Sequence, residues 1–74
     1  MAHVALGQAL REERQARGLT QQELADRSGL TKSYVSDVER GERNVTFENL
    51  LRLVRGTGVR LSSLLAKAEE HGLE

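Results

Sequence analysis

The sequence predicts an all-α fold, five short helices packed around one core. Apolar residues recur at helical spacing in five separate segments. Gly18, Gly29, Gly41, Gly56 and Gly58 fall at the ends of those segments, where helices stop. Proline is absent, and no stretch alternates apolar and polar residues as a half-buried strand would. The connections, roughly two to six residues long, suit a compact bundle.

The first helix is expected from about Val4 to Arg17, with Leu6, Leu10 and Glu13 or Arg14 one or two turns apart, ending at Gly18. Leu19 follows as a core plug. Thr20 and Glu23 form a capping box for the second helix, a device worth roughly 1 kcal/mol. Leu24, Ala25 and Ser28 make its inward stripe, while Gln21, Gln22, Asp26 and Arg27 point elsewhere.

Gly29 can take positive φ without a Cβ penalty, so it ends this helix in a sharp turn. Leu30 folds back onto the core, Thr31 caps a third helix, Val35 and Val38 face inward, and Gly41 closes it. Two helices crossing steeply through so short a turn need a small side chain at their closest approach, and Ala25 has that place. Residues 21–40 therefore read as a helix-turn-helix.

After the polar loop GERNV, Thr46 caps a fourth helix carrying Phe47, Leu50, Leu51, Leu53 and Val54, which Gly56 and Gly58 break. A fifth begins near Leu61 with the stripe Leu61, Leu64, Leu65 and Ala68. The closing KAEEHGLE is polar and expected to fray. One domain over residues 1–74 is expected, its core at about 4–68 and a polar tail at about 69–74.

A chain of 74 residues buries only around 60% of its unfolded surface, so dimerisation would support it. Cysteine is absent, which suits a reducing cytoplasm, and His3 and His71 are too few for a metal site. No apolar run reaches the roughly 18 residues of a membrane span and no basic-then-apolar signal opens the chain, so a soluble, cytoplasmic protein is expected. Eleven basic and eleven acidic residues cancel, which argues against a coat that binds nucleic acid through bulk charge. A reader of sequence needs only a local basic face. No acid–base cluster, paired nucleophile or phosphate-cradling loop is present, so no catalytic residue, cofactor, metal or enzyme activity is expected.

The segments LGQALREERQARG, LTQQELADRSGL, TKSYVSDVERGERNVTFENLLRLV and GVRLSSLL resemble the phage-repressor and Cro-like helix-turn-helix family, also called the Xre family. The resemblance spans about residues 5–66. It is closest to small stand-alone regulators such as the controller proteins of restriction-modification systems, through SYVSDVERGERN and TFENLLRL. It implies a lambda-repressor-like domain that binds an operator in double-stranded DNA as a homodimer and regulates transcription.

In that geometry the N-terminal half of the third helix enters the major groove. Lys32, Ser33, Ser36 and Asp37 are then the base-reading candidates: Lys32 donates to guanine, the serines pair with several edges, and Asp37 accepts from a cytosine amino group. The resemblance implies backbone contacts from Gln21, at the start of the second helix, and from Gln22, Arg43 and Asn44. Tyr34 is expected either on the sugar-phosphate backbone or packed over its helix. Arg14 and Glu39 are expected to form a structural ion pair. The dimer surface is expected at Val59, Leu61, Leu64 and Leu65, the alternative being that all four complete the chain's own core. A toxin or RNA polymerase is a further partner to consider. Two rival readings are an antitoxin with the same fold and a helical protein-interaction module without DNA binding.

Overall fold

Thr20, Thr31 and Thr46 each turn a hydroxyl onto a backbone N–H three residues ahead, accepting from Glu23 at 3.0 Å, Tyr34 at 3.1 Å and Asn49 at 3.1 Å. Each bond satisfies a donor that the first turn of a helix leaves without a partner, and is worth about 1 kcal/mol. At Thr20 the box is complete, because its own N–H donates to the Glu23 carboxylate at 2.8 Å. That bond holds the Glu23 carboxyl below its ordinary range.

The computed structural model describes residues 2–72. They form α1 (Ala2–Ala16), α2 (Gln21–Ser28), α3 (Lys32–Glu39), α4 (Phe47–Thr57) and α5 (Leu61–Glu70), with no strand among the described residues. α1 packs against α3 and α5, and α2 packs against α3 and α4. Leu10, Leu24, Val35, Val38, Leu53 and Leu64 are the large side chains enclosed at the centre, with Ala9, Ala25 and Ala68 where helices run close. The molecule measures 29 × 21 × 20 Å. Gly29, at φ 69°, ends α2 in the left-handed conformation and lets Leu30 donate back to the Ala25 carbonyl at 3.0 Å. This turn sets the angle between α2 and α3.

Gly56 departs from the sequence expectation. It does not break α4, which continues through Thr57 to a left-handed Gly58. A Cβ at Gly56 would lie 2.3 Å from Ser28 Oγ and 3.0 Å from Leu24 Cδ1, so the glycine is the point where α4 presses against α2. Phe47 is 66% exposed. It starts the α4 stripe that continues through Leu50, Leu51 and Val54, and this end of the stripe runs past the edge of the core. The C-terminal segment is helical through Glu70, and His71 Nε2 lies 2.8 Å from Glu12 Oε2 while Lys67 Nζ lies 3.7 Å from Oε1 of the same carboxylate. Hydrogen bonding to His71 lowers the Glu12 carboxyl from its usual range. Leu73 and Glu74, the last of the expected tail, lie outside the described residues.

Ser28 Oγ is buried with no hydrogen-bond partner among the described residues. Ser28→Ala should therefore raise stability by about 1 kcal/mol, since it removes a desolvated group that has no bond to lose. Gly56→Ala should lower it by about 1–3 kcal/mol through overpacking. The double variant should lose less than the sum, because the missing hydroxyl opens the space that the new methyl needs. Urea unfolding of the four proteins measures all three values, and strict additivity would show that Ser28 Oγ is not the obstacle.

Candidate nucleic-acid interface

The face is built on a buried charge network. Arg14, at the end of α1, donates from Nε to Glu39 Oε2 at 2.6 Å, from Nη2 to Oε1 at 3.0 Å, and from Nη1 to the Leu19 carbonyl at 2.7 Å. Gln21 Nε2 adds a bond to Glu39 Oε1 at 3.0 Å. One carboxylate at the end of α3 thus ties together the end of α1 and the start of α2. Both charged partners are buried, so the fork geometry and the extra bonds offset the loss of water. Gln21 is held in place by this network. Its amide nitrogen carries two hydrogens, and one remains beyond the bond to Glu39.

On the outward side of α3, Lys32, Ser33, Ser36, Asp37 and Arg40 line one shallow recess. Lys32 and Ser33 stand exposed in the first turn, just after the Thr31 cap. Asp37, expected from sequence to accept from a cytosine amino group, carries an arginine on each carboxylate oxygen. Its Oδ1 takes Arg40 Nη2 at 2.5 Å, and its Oδ2 takes Arg43 Nη2 at 3.4 Å. Arg40 also donates to Ser36 Oγ and lies 3.3 Å from a Glu42 carboxylate oxygen. Arg40 is absent from the candidates named from sequence, although its spacing of three and four residues from Asp37 and Ser36 places all three on one helical face.

Tyr34 is half-buried against the core, its hydroxyl accepting from Asn49 Nδ2 at 3.1 Å and its ring lying 5.0 Å from the Arg43 guanidinium. The tyrosine therefore braces α3 on α4 and supports the arginine of the following loop. Asn49 has no sequence signal for this part beyond its place one turn into α4. Gln22 is exposed and donates along its own helix to Asp26 at 2.9 Å. Asn44 lies apart from the α3 recess, lining a small apolar groove with Ala2, His3, Leu6, Val45 and Leu65.

The four residues expected at a dimer surface divide. Leu64 is wholly enclosed and Val59 nearly so, both within the chain's own core, which removes them from direct contact with a second copy. Leu61 and Leu65 are half-buried on α5. An apolar stripe cannot distinguish these cases until the neighbouring helix is placed. Among the described residues no group of three or more His, Cys, Asp or Glu is arranged to hold a metal ion, and no helix is long and apolar enough to cross a membrane.

A helix-turn-helix family model matches residues 10–64. The chain is similar to the control protein C.SmaI of Serratia marcescens, with 37% identity over 62 residues that make up 84% of this chain and 74% of that protein. Among solved structures it is similar to the restriction-modification controller protein C.AhdI from Aeromonas hydrophila, at 48% identity and a TM-score of 0.81, over 84% of this chain and 94% of that one. It is also similar to the clp gene regulator ClgR from Corynebacterium glutamicum, at 33% identity and a TM-score of 0.94, over 97% and 94% of the two chains. Matched over most of its length, the chain belongs to the helix-turn-helix family of transcriptional regulators, of the phage-repressor and Cro-like, or Xre, type, whose members are DNA-binding regulators rather than enzymes.

Proposed function

We propose that this protein regulates transcription by binding a specific, partly palindromic operator in double-stranded DNA as a homodimer, with α3 in the major groove. The observation that carries the reading is the α3 recess, where Lys32, Ser33 and Ser36 share one outward face directly after a capped helix start. Lys32 suits guanine O6 and N7, and the two hydroxyls pair with several base edges. Gln21 is fixed by Glu39 at the start of α2, and its remaining amide hydrogen, together with the helix-end N–H groups, suits a phosphate. Gln22, Arg43 and Asn44 would add strand contacts, while Tyr34 supports Arg43 from below.

A homodimer fits the small core and the half-buried Leu61 and Leu65 on α5. The resemblance to stand-alone controller proteins supports the same reading. Two α3 helices related by a two-fold axis would read half-sites about 10 bp, or roughly 34 Å, apart.

Lys32→Ala should relax preference at one position of each half-site by about 1–3 kcal/mol, whereas Gln21→Ala should weaken binding to every sequence alike. Binding isotherms on duplexes carrying single base changes measure both, with thermal unfolding run beside them because Gln21 also bonds to Glu39. Identical profiles from the two variants would refute this division of roles. Sedimentation at micromolar concentration tests the dimer, and a strictly monomeric protein would remove the preformed pair.

A further inference from the structure

Asp37 is a carboxylate in the middle of a face that would meet phosphates, and both of its oxygens already accept from arginines. Arg40 approaches from the next turn of α3 at 2.5 Å, and Arg43 reaches over from the loop at 3.4 Å. Arg40 is further engaged by Ser36 and Glu42, and Arg43 by the face of Tyr34. These pairs are solvent-accessible, and such pairs add little to folding stability. Their consequence lies in where they hold the two guanidinium groups.

Resting on the DNA-reading function proposed above, we propose that Asp37 is a specificity-determining counter-charge, which keeps Arg40 and Arg43 from gripping DNA of the wrong sequence. Non-specific binding is almost entirely a matter of cations meeting phosphates. For Arg40 or Arg43 to join a loose, non-specific complex, it must leave Asp37 and strand a carboxylate beside the phosphates. In the seated complex, Lys32 and Ser33 meet base edges while both arginines remain paired with Asp37, Arg43 meeting a strand through the N–H groups that Asp37 leaves free, so that penalty is absent. Discrimination by penalising the wrong partner is a general route to specificity.

The test compares wild type with Asp37→Asn on two duplexes, one recovered by selection with the wild-type protein and one of random sequence, across a salt series. Asparagine keeps the shape and removes the charge, and thermal unfolding should be nearly unchanged. Asp37→Asn should bind the random duplex roughly 3–10-fold more tightly at low salt, with a salt slope steeper by about one phosphate contact. Its affinity for the selected duplex should change by less than about threefold, so the specificity ratio falls. A loss confined to the selected duplex would make Asp37 a base reader and overturn the proposal. Equal tightening on both duplexes, or no change on either, would overturn it as well. A wild-type protein that recovers no preferred duplex would instead defeat the DNA-reading function itself, and this proposal with it.

Discussion

Arg14→Ala should lose about 3–5 kcal/mol of folding stability, the range for breaking a buried ion pair from one side. The variant strands Glu39 with only the Gln21 amide as partner and leaves the Leu19 carbonyl without its donor. A chain of this length has on the order of 4–11 kcal/mol to lose, so a large share of the molecules should unfold under mild conditions. DNA binding would fall with folding, without implying that Arg14 touches DNA. Urea unfolding supplies the measurement. Replacing both charges by apolar residues, Arg14→Met with Glu39→Leu, should recover part of the loss, because no uncompensated charge then remains buried. A single Arg14→Ala variant within about 1 kcal/mol of wild type would show the pair to be worth no more than a surface one.

Gly7→Ala should be the next most damaging change. A Cβ there would lie 2.2 Å from the Val38 carbonyl oxygen and 3.0 Å from that of Glu39, both of them backbone atoms. No side chain can rotate away, so α1 and α3 must separate. We expect a loss of about 3 kcal/mol, at the upper end for overpacking, despite the roughly 1 kcal/mol that alanine gains over glycine as a helix former. The separation would also stretch the Arg14–Glu39 contact, since Glu39 sits at the same approach. The same unfolding experiment applies, and a Gly7→Ala protein as stable as wild type would mean that the two helices are not in such close contact.

Where a rule acts within a few residues, the sequence carried the structure. Thr20 with Glu23, Thr31 and Thr46 mark three helix starts, and Gly29 marks the turn, because each works through its own backbone neighbourhood. Ala25, Val35 and Val38 were legible as inward positions through their spacing. Gly7 and Gly56 were not legible as close contacts, since a glycine inside a helix looks like punctuation until the facing helix is placed. The amphipathic stripe of α5 likewise hid the fact that Leu64 belongs to the interior while Leu61 and Leu65 remain partly open. In the candidate site, Lys32 and Ser33 followed from helix geometry. The hold of Arg43 on Asp37 depends on the path of the loop after Gly41, which no periodicity describes.

The proposed function places sequence reading on the N-terminal face of α3 and the setting of register at the start of α2. Selection from a pool of random duplexes at low salt tests it most directly. The expected result is enrichment of one motif with two-fold symmetry and half-sites about 10 bp apart, together with loss of preference at one base per half-site when Lys32→Ala replaces wild type. A pool that stays random after repeated rounds with folded wild-type protein would contradict it.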